Sequence, residues 1–121
     1  MTENEKLASA EDYINSGSVR SARGDYYGAI TDFTQAIQLD PNNFRAYFLR
    51  GCTYIKDERS GLDGFDRGIV DIEAALRLNP NNSHIIKALE MAREGREAEK
   101  KAQFWREREE QMNNMLKRAG W

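Results

Sequence analysis

Residues 24–43 read GDYYGAITDFTQAIQLDPNN, and residues 64–82 read GFDRGIVDIEAALRLNPNN. Laid side by side, Ala29 falls on Gly68, Phe33 on Ile72, Ala36 on Ala75, Leu39 on Leu78 and Pro41 on Pro80, each 39 residues apart. Upstream the spacing is shorter: Tyr13 to Tyr47 and Gly17 to Gly51 are both 34. The difference places five extra residues within 56–64, so the chain reads as a 34-residue unit repeated once with an insertion.

Each unit carries the signals of two helices. Gly24 suits the left-handed end of one helix, and Asp25 can accept the amide hydrogens that open the next. Ile30, Phe33, Ala36, Ile37 and Leu39 recur at steps of three and four, which is one face of a helix. Asp40-Pro41 ends that helix, because the residue before a proline is pushed out of the helical region. Proline is expected at the front of the following helix, where its missing N–H is an orphan anyway. Asn79-Pro80 repeats the device. The expectation is four helices in two antiparallel pairs, with a fifth from about Ser83.

The 121 residues are 40 % hydrophobic and 31 % charged, which is room for one compact domain with a real core. A net charge of -2 lacks the basic surplus of a nucleic-acid binder. No apolar run is long enough for a membrane span, so nucleic acid and membrane are both set aside as partners. Met1–Lys6 is not followed by the apolar stretch of a signal peptide, and a cytoplasmic location is expected. Cys52 and His84, one of each kind, cannot complete a zinc site. There is no phosphate loop and no dinucleotide fingerprint, so neither cofactor nor metal is expected. Residues 57–66 hold several carboxylates without calcium-loop spacing and read as a solvated turn, a candidate recognition loop.

An aromatic residue, three positions and a glycine, then Gly-Asp-Tyr, then Ala-x3-Phe-x2-Ala-x4-Pro: this pattern resembles the tetratricopeptide repeat. Residues 10–43 hold Tyr13, Gly17, Gly24, Ala29, Phe33, Ala36 and Pro41 at the family spacings, and depart from it at Arg20, where the family prefers an aromatic residue. Residues 44–82 hold Tyr47, Gly51, Tyr54, Ala75 and Pro80, with Gly68 and Ile72 as conservative departures. The resemblance implies an all-α superhelical solenoid. Its parts are a leader (1–9), two helical-hairpin repeats (10–43 and 44–82, the second with the insertion) and a long C-terminal capping helix (83–121).

The resemblance also implies a non-catalytic adaptor or scaffold, whose first helices line a concave groove for a helical or extended segment of another protein. Carried over, the groove positions are Ile14, Ser18, Arg45, Phe48, Cys52, Ile55, Lys56, His84, Lys87 and Met91. One subclass of the family clamps the acidic tail of heat-shock chaperones with Lys, Asn, Asn, Lys and Arg. Those positions here read Ile14, Ser18, Leu49, His84 and Ala88, so no such clamp is expected. An apolar strip edged by Arg45, Lys56 and Lys87 suits an amphipathic helix with acidic flanks. A remote alternative is a small enzyme that uses Cys52 with His84, although no motif supplies a third group or an oxyanion site.

Beyond Leu89 the repeat stops. Residues 95–102, GREAEKKA, are strong helix formers with no breaker except Gly95, so one helix is expected from about Ser83 to about Arg118. Residues 83–95 would cap the solenoid and the rest would overshoot it. Ala98, Ala102, Trp105, Met112 and Leu116 fall at steps of four and three, with Glu109 interrupting and Phe104, Met115 and Trp121 beside them. In this heptad-like seam Ala102, Trp105, Met112 and Leu116 are the candidate interface for a second chain, another protein or a copy of this one. Residues 1–43 carry three basic and seven acidic groups and residues 83–121 nine and seven, which favours head-to-tail association of copies, weakly at physiological salt.

Overall fold

The computed structural model describes residues 9–120; the rest of the leader and Trp121 lie outside the described residues. The elements are α1 (Ala10–Ala22), α2 (Tyr26–Leu39), α3 (Phe44–Lys56), a 3-10 turn (Glu58–Ser60), α4 (Gly61–Leu78) and α5 (Ser83–Arg118). The fold is all-α, each helix packing against its neighbour in sequence.

Short polar side chains set the helix starts. Ser9 Oγ accepts from the Asp12 amide at 3.2 Å, and Asp25 Oδ1 accepts from the Gly28 amide at 3.0 Å. Gly24, at φ 81, makes the reversal between α1 and α2 in the left-handed region. Pro41 and Pro80 do not open helices as expected from the sequence. They sit in the turns, two residues ahead of Asn43 and Asn82. Those asparagines are the caps: Asn43 accepts from the Arg45 amide at 3.1 Å and Asn82 from the His84 amide at 3.0 Å. The carboxylate-rich segment also differs from an open turn. It folds into the 3-10 turn and an early start of α4, which reaches 18 residues against 14 in α2.

The core forms two clusters. Ile14, Ala29, Phe33, Ala36 and Ala46 make one; Ile69, Ile72, Ala75, Ile85, Leu89 and Ala92 make the other. Ala46 on α3 and Ile85 on α5 are 39 residues apart and play one part. Each closes the core of the helical pair before it, so stacking completes what one hairpin leaves open. The α3 and α4 backbones touch where they cross. A Cβ on Gly51 or Gly68 would stand 2.7 Å from the carbonyl oxygen of the other, so only glycine fits.

Two buried aspartates, Asp32 on α2 and Asp71 on α4, also occupy equivalent positions. Asp71 accepts from Nε and Nη2 of Arg50 at 2.8 Å each, and Arg50 Nη1 reaches Thr34 Oγ1 at 3.2 Å, which ties α2, α3 and α4 together. The hydrogen bonds that Arg50 donates to Asp71 outweigh burial and raise the Arg50 pKa above its ordinary value. Asp32 accepts from Ser16 Oγ at 2.6 Å and lies 3.5 Å from Arg20 Nε. The arginine that departs from the family pattern therefore has a partner.

Candidate functional site

Two hollows of one design lie side by side on the inner face. In the first, α1 (Ser18, Ser21, Ala22) and α3 (Leu49, Cys52, Thr53, Lys56) form the walls and Phe33 of α2 the floor, around about 170 Å³. In the second, α3 (Cys52, Ile55, Lys56) and α5 (Ala88, Met91, Ala92, Gly95) are the walls, with Phe65 and Ile72 of α4 below, around about 420 Å³. Phe33 and Ile72 are the repeat-equivalent floors. Cys52 and Lys56 belong to both hollows, so the two form one groove. Gly95 keeps the second hollow open, since a Cβ there would meet the Phe65 ring at 2.7 Å. Past Phe65 a third, more polar space of about 400 Å³ is lined by Ile55, Asp57, Glu58, Gly61 and Glu99.

Of the residues carried over from the family pattern, Ser18, Cys52, Ile55, Lys56 and Met91 line this groove. Ile14 does not. It is wholly enclosed in the first core cluster against Ala29, Phe33 and Ala46, because α2 and α3 close over that side of α1. Phe48 is half-buried against the second core cluster. Arg45 lies outside the hollows, held to Glu11 at 2.7 Å. His84 and Lys87 are exposed near the start of α5. Among the groove residues that the sequence reading missed are Phe33, Thr53, Phe65, Ile72, Ala92 and Gly95. The offset of 39 from Phe33 to Ile72 marked the floor, but only the packing shows that the floor is open to the groove.

The thiol of Cys52 sits within the groove, and burial raises its pKa against a smaller opposite pull from Lys56. His84 stands at the level of Arg45, seven residues before the α5 position that matches Cys52. That is about 10 Å along the helix, and His84 lines neither hollow that Cys52 lines.

Ala102, Trp105, Met112 and Leu116 lie on the half of α5 that extends past the other helices. Ala102 is half-buried, and Trp105 (67 %), Met112 (53 %) and Leu116 (42 %) are exposed. Phe104 meets Trp105 edge-on at 5.4 Å, and the Arg108 guanidinium lies 4.9 Å from the Phe104 ring. Among the described residues no helix is long and apolar enough to cross a membrane.

The sequence pattern of the family described as "TPR repeat" matches residues 17–57, from the middle of α1 to the end of α3. Residues 17–57 carry a tetratricopeptide repeat. The chain is similar to the "Tetratricopeptide repeat and J domain-containing co-chaperone DNJ1" of Cryptococcus neoformans var. grubii serotype A, with 30 % identity over 91 residues, 74 % of this chain and 16 % of that protein. It also resembles a solved structure described as "Molecular features of the UNC-45 chaperone critical for binding and folding muscle myosin". That match has a TM-score of 0.63 and 28 % identity, covering 77 % of this chain and 10 % of that one. The chain thus spans a small part of both relatives.

Proposed function

We propose that this chain is a non-catalytic adaptor that holds a helical or extended segment of another protein in the groove between α1, α3 and α5. Residues 10–43 and 44–82 act as its two repeats and 83–121 as the closing helix. The observation that carries the reading is the second hollow, with an apolar lining of Ile55, Phe65, Ile72 and Met91 and a lysine at its lip. Such a surface takes apolar anchors of a peptide, and Lys56 favours acidic neighbours beside them. The chaperone-associated likenesses support a protein as the occupant.

An acidic chaperone tail is not the occupant proposed. Ile14 is enclosed, Leu49 is half-buried against the same cluster, and Ser18 and Ala88 carry no charge. Catalysis by Cys52 is set aside because burial disfavours the thiolate that a nucleophile needs. We place the chain in the cytoplasm, where a lone thiol stays reduced.

An unbiased displayed-peptide library tests the reading. Peptides enriched on the wild-type chain should shift the amide resonances of Cys52, Ile55 and Met91. They should bind Met91→Glu at least about tenfold more weakly, a loss of roughly 1.4 kcal/mol. Enriched peptides whose shifts map to the outer faces of α2 and α4, around Tyr27 and Val70, would overturn it.

A further inference from the structure

Two faces of α5 diverge where the helix leaves the body. The face packed on α4 carries Ile85, Leu89 and Ala92. At about 100° per residue it continues through Arg96, Gln103, Glu107, Glu110 and Asn114, every one polar. The face that lines the groove carries Ala88, Met91 and Gly95. In alternating steps of three and four residues it runs on through Ala98, Ala102, Trp105, Glu109, Met112 and Leu116, apolar apart from Glu109, a seam that turns about 20° per heptad round a straight helix and that a partner helix follows by supercoiling. A solvated arm has no need of one apolar face, and an arm built to carry another repeat would extend the core-facing side. The apolar seam that persists starts on the ligand side and runs about 40 Å from Ala88 to Leu116.

We infer that the groove and this stripe are one docking track for a single amphipathic helix of another protein, acidic along its flanks and basic opposite Glu109. The inference rests on the groove reading above and extends it along α5. Charge selects the occupant. In heptad terms the stripe is flanked by Glu94, Lys101 and Arg108 on one side and by Glu99 and Arg106 on the other, three cations against two carboxylates. Arg106 leans on Glu99 at 2.9 Å but stays exposed, and Lys56 adds a positive charge at the groove lip. A second copy fits badly. A parallel pair sets Lys101 against Arg106 of the other chain and brings the two Glu109 carboxylates together. The antiparallel register that stacks Trp105 on Ala102 sets Lys101 beside Arg108 on one flank, while the Glu99 that would meet Arg106 on the other is already paired to Arg106 of its own chain. Glu109 then acts as the one polar core position that fixes the register of a partner.

The test uses the full chain and two synthetic acidic-flanked helical probes. One, of about 30 residues, spans the track with a lysine placed opposite Glu109; the other, of about 14, spans the groove alone. Binding is followed by calorimetry and the mass of the free chain by light scattering. The expected result is a monomer that binds the long probe at least about tenfold more tightly than the short one. Trp105→Ala should remove that advantage and leave the short probe unaffected. Glu109→Lys should weaken the long probe, and exchanging the probe's lysine for glutamate should restore it. Equal affinity for both probes overturns the track and leaves the groove reading standing, whereas failure of both probes counts against both. A dimer dispersed by Trp105→Glu would show that a second copy covers the stripe and would overturn the choice of partner.

Discussion

The repeat body and the projecting half of α5 are both helical, yet different forces hold them. In the body, Phe33, Ile72 and Ile85 are almost wholly enclosed by neighbouring helices, and burial of that kind supplies most of the stability of a helix this short. Past Arg96 nearly every residue is exposed, and the helix rests on its own propensity and on pairs such as Lys100–Glu97. The body's sequence answers to its fold, whereas Trp105, Met112 and Leu116 of the projection are exposed.

The sharpest way to break that comparison is a pair of truncations. Phe33→Ala should cost about 3–5 kcal/mol, since Phe33 fills the first cluster against Ile14 and Ala29. Trp105→Ala removes a larger side chain and should move stability by less than about 0.5 kcal/mol, because 67 % of that residue is exposed. Denaturant midpoints decide it. A loss above about 1 kcal/mol at Trp105 would mean that the arm folds back on the body.

Within the body, the two buried aspartates make a finer comparison. Arg50→Ala leaves Asp71, whose side chain is 6 % exposed, without its bidentate partner and should cost roughly 2–4 kcal/mol. Arg20→Ala should cost less than about 1 kcal/mol, because Arg20 is half-exposed and Ser16 still donates to Asp32. Equal losses would show that Arg20 holds Asp32 more firmly than its 3.5 Å separation implies.

Hydrogen exchange reads the same boundary along one helix. Amides at Leu89 and Ala92, buried on α4, should exchange at least about a hundredfold more slowly than those at Glu107 to Asn114. Uniform protection over all 36 residues of α5 would mean that the projection is covered in solution.

The repeat arithmetic made the all-helical solenoid legible, because spacing, small residues and breakers all pointed to one architecture. The groove was less legible, because line-up with a family pattern gives a level along a helix and not the side that faces out. Ile14 lies at the level of Phe48, yet it turns into the core of the first hairpin. Asp32 and Asp71 passed unread although they obey the same offset as Phe33 and Ile72, since a charge on an apolar face looks like an interruption until Arg50 is seen beside it. Gly95 reads as a helix breaker in sequence, and only the Phe65 ring explains it.

The smallest expected effect lies at Cys52, where the body meets whatever occupies the groove. Burial raises the thiol pKa and Lys56 lowers it by less, so the neutral form is favoured in the folded chain. A group raised in this way adds stability below its ordinary value of 9.0 that is lost as pH rises through the folded value. Stability should therefore be flat through neutral pH and decline above pH 9.0, and Cys52→Ser should remove that decline. Alkylation by iodoacetamide follows the thiolate and should rise with a midpoint above pH 9.0. An occupied groove should slow it further, which makes the thiol a reporter of binding. A midpoint below about pH 8 would reverse the sign, give Cys52 the activation a nucleophile requires, and reopen catalysis at the one place in the groove with chemistry to support it.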